Sequence, residues 1–237
     1  MEEYKLLIIM IMILGICICF IGIKIIQNKS YKEELKLLKC LTGKEYININ
    51  EFFEEKEGNK FEFEVFKFLY EYFNKDTRIH GNVKIPRGNK RTTEADLIVI
   101  NENCIFIVES KDWNGKITGE KSKSKWNKTK KNNEEKELDN PIIQNEYHIK
   151  HFKRNIDLHK YNLEDKNIYS LIVFSNKSDI DEVRYNDNIT KVLNIRELKN
   201  TLDMIIQNNN KILSKEQIID ISNIIDGFKE QESNIYD

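Results

Sequence analysis

The chain has 237 residues, with 38 Lys or Arg against 39 Asp or Glu and a formal net charge of −1. That length admits one ordinary domain plus extensions. The charge balance excludes a global basic field that would drive the chain onto nucleic acid, so any such binding must use a local patch. Two prolines and nine glycines exclude a low-complexity chain. Cys17, Cys19, Cys40 and Cys104 include no pair at zinc-ligand spacing. Disulfides are not needed, and a reducing compartment fits best.

Leu6 to Ile23 is an uninterrupted apolar run, extended past Lys24 by Ile25 and Ile26. It is long enough to cross a bilayer as a helix. The start, Met1-Glu2-Glu3-Tyr4-Lys5, is not the basic start of a signal peptide, and no small-residue cleavage site follows. Residues 5–26 are therefore read as an uncleaved single-pass anchor in the cell membrane. Lys24, Lys29 and Lys32 follow the run, and positive-inside counting puts the C-terminal side in the cytoplasm. Residues 27–52 are polar with helical patches and read as a juxtamembrane linker.

Asn59 to Asn74 has the period of an amphipathic helix, with Phe61, Val65, Phe68, Leu69 and Tyr72 in one stripe. Glu62 lies on the edge of the buried face, in its first turn. There it either favours the helix dipole or serves a site. A strand is expected within Thr77–Pro86, followed by the basic turn Arg87–Arg91.

Two apolar runs, Leu97–Ile100 and Cys104–Val108, flank the polar triplet Asn101-Glu102-Asn103. This is a hairpin pattern. Folded about its centre, it sets Asp96 opposite Glu109, with Lys111 on the same face as Glu109. Two carboxylates so placed repel each other, and a divalent cation relieves that; hard Mg²⁺ takes oxygen ligands. The competing reading is a strand end emerging into solvent, where Lys111 merely salt-bridges Glu109.

Asn114-Gly115 is a turn signal, so Lys116 to Gly119 is expected to return as a strand. Lysines 121, 123, 125, 128, 130 and 131 then surround Trp126. Lys121, Lys123, Lys125 and Trp126 are candidates to track a phosphate backbone and stack a base. Glu134, Glu135, Glu137 and Asp139 partly cancel that field, and a mobile charged loop with Trp126 packed on a sheet is the alternative. Asn140-Pro141 opens a helix by cap and first-turn chemistry. Its expected buried stripe is Ile143, Tyr147, His148, Phe152 and Ile156, with Gln144 one step away. His148 and His151 read as structural histidines. Ile168–Phe174 and Lys191–Asn194 are strands, Arg196–Ile206 a helix, and Ser214 to Gln217 a capping box opening a last helix over Ile218–Phe228.

The order of these elements resembles the PD-(D/E)XK nuclease superfamily, and more closely the nuclease-related domain (NERD) family. The matching residues are Gly58 with Glu62, Glu94 with Asp96, and Glu109 with Lys111, followed by Gly115, Trp126 and Asn140-Pro141-Ile142-Ile143-Gln144. Phe61 stands where the family has a second Gly, and Leu97 where it often has His. The resemblance implies an α/β fold, a mixed central β-sheet flanked by helices, over residues 53–228 with a tail at 229–237. It also implies a divalent metal, Mg²⁺ or Mn²⁺, on Asp96 and Glu109. Lys111 would position or activate the nucleophile, Glu62 would support the site, and Gln144 would complete it. The expected function is phosphodiester hydrolysis of nucleic acid, DNA before RNA. The alternative is a non-catalytic module that binds nucleic acid or protein at the membrane.

Overall fold

A computed structural model describes residues 2–46, 48–55 and 58–233, with side chains described between residues 22 and 228. The chain divides into two units, Met1–Glu51 and Phe52–Asp237.

The first unit is built on one helix, α1 (Glu2–Thr42), which continues through the first part of the expected linker. Gly43 ends it at φ 73°, and its N–H returns to the Lys39 carbonyl at 2.8 Å. Among the described residues no helix is long and apolar enough to cross a membrane. The stretch expected to do so, residues 5–26, lies outside the described side chains up to residue 21.

The second unit is an α/β domain with two mixed sheets. Its strands are β1 (Arg78–Pro86), β2 (Thr92–Ile100), β3 (Ile105–Lys111), β4 (Gly115–Glu120), β5 (Lys125–Thr129), β6 (Glu135–Asp139), β7 (Ile168–Phe174), β8 (Ser178–Arg184) and β9 (Thr190–Asn194). The main sheet runs β1-β2-β3-β7-β9 and the small sheet β6-β5-β4-β8. In the main sheet, β1, β2 and β3 are antiparallel neighbours, while β7 and β9 run parallel to β3. The β2–β3 register pairs Leu97 with Val108 and Ile100 with Ile105. That is the pairing expected from folding the hairpin about Glu102-Asn103.

Helices cover the main sheet because both of its faces are apolar, as the continuous Ile/Val runs require. A short helix, α2 (Ile49–Glu55), precedes α3 (Asn59–Tyr72), which packs on β1 and β3. On the other face lie α4 (Pro141–Asn155) and α6 (Lys215–Ser233). Ile98, Ile100, Ile105 and Ile107 there meet Ile149 and Phe152 of α4 and Ile218, Ile221 and Ile225 of α6. Ser222 Oγ lies 2.9 Å from His80 Nε2, which ties α6 to β1. Ser214 and Gln217 cap α6 reciprocally, as expected, and α6 continues past Phe228 to Ser233; residues 234–237 of the expected tail lie outside the described residues. The remaining helix, α5 (Leu198–Gln207), follows a 3-10 turn at Ile195–Glu197.

Three expectations need correcting. Lys116–Gly119 is a strand, but it does not fold back on β3. It opens the small sheet instead, because Gly115 turns the chain at φ 110° and β4 then aligns parallel to β8. The lysine-rich segment is no loop: β5 and β6 form an antiparallel hairpin. The buried arc of α4 is also rotated from the expected stripe. Ile142, Asn145, His148, Ile149 and Phe152 are buried, whereas Ile143 and Tyr147 are 42% and 38% exposed. The cause is Asn145, fully buried, whose Nδ2 donates to the Ile107 carbonyl and to Ser170 Oγ, both at 2.8 Å. A polar residue with that pair of partners takes a core-facing position a period count assigns to an apolar one.

Candidate active site

The two sheets meet at two adjacent strand junctions. The parallel pair β3–β7 leads directly into the parallel pair β4–β8, through residues 112–114 and 175–177. Ser175 N–H donates to the Lys111 carbonyl at 3.1 Å, and Gly115 N–H to the Lys177 carbonyl at 3.1 Å. Above these junctions opens a cavity of about 990 Å³, walled by the start of β2, the end of β3, the starts of α3 and α4, and the β5–β6 hairpin.

Glu62, Asp96, Glu109, Lys111 and Gln144 all line this cavity. The carboxylate of Glu109 is buried, and the Lys111 ammonium forms an ion pair with its Oε1. Lys111 Nζ also donates to Gln144 Oε1 at 3.2 Å. Asp96 reaches past the last paired residue of the hairpin, and its Oδ2 accepts from both N–H and Oγ–H of Ser110 at 2.7 Å. Glu62, buried in the first turn of α3, brings a third carboxylate to the same cavity.

One residue of the site was not expected from the sequence. His148, one turn along α4 from Gln144, is buried, and its Nε2 lies 3.5 Å from Glu109 Oε2. Its Nδ1 lies 2.9 Å from Thr93 Oγ1. Glu109 thus has the Lys111 ammonium on one oxygen and the His148 ring beside the other, at ion-pair range without a hydrogen bond. The signal for it was the i, i+4 spacing from Gln144, which puts both side chains on one helix face.

The electrostatics of the two central carboxylates diverge. Burial, then the neighbouring Glu109, push the Asp96 carboxyl up to about 6, against the bonds from Ser110 and the charge of Lys111. Burial also pushes Glu109 up, but its contacts with His148 and Lys111 outweigh that and hold it below the usual carboxylate range. The pair therefore combines a firmly ionised Glu109 with an Asp96 whose charge is costly and open to compensation by a cation.

The second patch expected from sequence is dispersed. Lys121 pairs with Glu146 and Asp187, and Lys125 with Asp139. Lys123 is exposed at the start of the hairpin. Trp126 is 1% exposed, with its ring stacked on Phe174 at 6.4 Å and its Nε1 donating to the Glu120 carbonyl. It belongs to a small core with Ile117, Ile142 and Ile172, so it has no face for a base. That assignment of Trp126 is corrected: a large aromatic in a short amphipathic strand gains more from burial than from exposure.

No curated protein and no solved structure matches the chain. The profile of the nuclease-related domain matches residues 57–175, from the residue before the Gly58 cap of α3 to the residue after β7. That span includes every side chain of the cavity floor, and the chain belongs to the NERD, nuclease-related domain, family.

Proposed function

We propose that the domain is a divalent-metal-dependent nuclease that hydrolyses phosphodiester bonds, in DNA before RNA. The observation that carries this reading is the pairing of Asp96 with a Glu109 set between Lys111 and His148, at the floor of a large cavity. Among the described residues no group of three or more His, Cys, Asp or Glu forms a ready ligand set. Two hard carboxylates nevertheless fit Mg²⁺ or Mn²⁺, whose other positions go to water and to substrate phosphate. The raised Asp96 carboxyl fits the same group, since a cation there would offset the repulsion from Glu109. When bound, such an ion would supply Lewis acidity toward a phosphoryl oxygen.

The chain's own residues do the rest. Glu109 and Asp96 offer oxygen ligands at the floor. The Lys111 ammonium, fixed by Glu109 and Gln144, is aimed where negative charge grows on the phosphoryl group as the bond breaks. His148 and Thr93 hold Glu109 in one orientation, and Glu62 supports the floor from α3. The test is a calorimetric titration of Mg²⁺ and Mn²⁺ into the native chain and the Asp96→Ala variant, beside a cleavage assay. Metal binding and cleavage should both vanish in Asp96→Ala while the circular dichroism spectrum is kept. Retained cleavage in that variant would end the assignment.

A second reading has its own observation. Both Glu109 oxygens face cationic or ionisable neighbours, and Asp96 is already bonded to Ser110, as in a fold kept for binding alone. A non-catalytic binding module would hold nucleic acid or protein with no turnover at saturating metal. In either case we propose that the apolar run Leu6–Ile23 tethers the domain to the cell membrane with its C-terminal side in the cytoplasm.

A further inference from the structure

The β5–β6 hairpin carries an arrangement that costs stability. Lys128 of β5 and Lys136 of β6 are direct cross-strand partners. Like charges placed opposite each other weaken a strand pair. Both residues line the cavity. Among the described residues neither has an ion-pair partner, although most other lysines of the small sheet do.

Strand alternation explains where their charge goes. Trp126 and Lys128 share one face of β5, and Leu138 and Lys136 share the facing side of β6. Trp126 packs into the small core, so this inner face looks into the domain, with the two lysines one step further out toward the cavity. Glu135 and Glu137 alternate to the outer face. Those two acids therefore stand away from the lysine pair, while Glu134 lies within reach of the Lys128 charge and Asp139, paired with Lys125, lines the same cavity.

The cavity floor holds Asp96, Glu109 and Glu62, and a phosphate approaching it meets repulsion. Lys128 and Lys136 stand beside it as two directly paired cations, neither in an ion pair among the described residues. We propose that this pair forms a phosphate clamp, in which both ammonium groups grip a backbone phosphate of a single nucleic-acid strand next to the one at the floor. The clamp rests on reading the cavity as a phosphodiester site, and it holds whether or not that site cuts. Contact with phosphate oxygens gives affinity and placement without sequence preference.

The test uses the native chain, the Lys128→Gln/Lys136→Gln double variant and Lys130→Gln as a control at the hairpin tip. Glutamine keeps most of the aliphatic stem and removes the charge. Binding of a fluorescein-labelled oligothymidylate is followed by anisotropy across a salt series in EDTA, so that no cleavage is needed. The slope of log affinity on log salt should fall by about 0.7 in the double variant, the value for one phosphate contact on a single strand. Lys130→Gln should keep the native slope. The double variant should also melt no lower than the native chain, because a like-charge pair has been removed. Equal slopes in all three proteins, a lower melting point in the double variant, or no binding by the native chain would each overturn the clamp. Binding with the expected slope change but no cleavage in Mg²⁺ or Mn²⁺ would support the clamp and remove the hydrolytic reading instead.

Discussion

At the scale of single residues, the site is a contest over two carboxylates. Asp96 is the costly one. Its carboxyl is raised to about 6 in the folded chain, from an ordinary value of 3.8. A raised acid contributes stability that is full below its unfolded value and is lost as pH rises through its folded value. Asp96→Asn keeps an oxygen acceptor for Ser110 and never ionises. In EDTA it should therefore be more stable than the native chain at pH 7.5, by on the order of 2 kcal/mol. The gain should shrink through pH 6 and be gone by about pH 4. Thermal melts across that range check this, and a gain independent of pH would refute ionisation of Asp96 as its cause. His148 is the positioning residue. His148→Ala should weaken Mn²⁺ binding about 10–100-fold, by releasing one side of Glu109, with the fold kept. Most of this floor is legible in the sequence, because the hairpin's symmetry alone sets Asp96 against Glu109. His148 is not, since a histidine among apolar helix positions looks the same whether it fills a core or steadies a carboxylate.

Among the elements, those that bury apolar faces on both sides are easy to read, and those around the cavity are not. The strands β2, β3 and β7 announce themselves as Ile/Val runs. By contrast β6, Glu135-Lys136-Glu137-Leu138-Asp139, is polar on its solvent face and nearly so on its cavity face, leaving no alternation to detect. The exposed strand β8 is obscured in the same way. The small sheet depends instead on close backbone contact. A Cβ at Gly119 would lie 2.3 Å from Trp126 Cγ and 2.4 Å from its Cδ1. Gly119→Ala should displace the indole and destabilise the domain by about 1–3 kcal/mol. The same substitution should redshift tryptophan emission as Trp126 gains water. An unchanged spectrum and melting point would show that the indole does not pack on β4.

For the whole molecule, two units of different character lie on one chain, and the family match covers only the second. The proposed tether makes a direct prediction. The full chain should sediment with membranes, resist high salt and alkaline carbonate, and be released by detergent. Deletion of residues 2–26 should leave it in the supernatant. Release of the full chain by salt alone would reduce the attachment to electrostatics. Composition could suggest the tether, but not its relation to the domain.

The double junction between the sheets has a mechanical consequence. Because β3 and β7 both continue into the small sheet, and Ile117 and Trp126 pack on Ile172 and Phe174, the two sheets are coupled by two chain connections and a shared core. Across the two connections runs the bond from Ser175 to the carbonyl of Lys111. Tension on a polymer held by the hairpin would reach the backbone of the lysine whose ammonium sits beside Glu109. Pulling on the strand would then alter the floor of the cavity without any contact there.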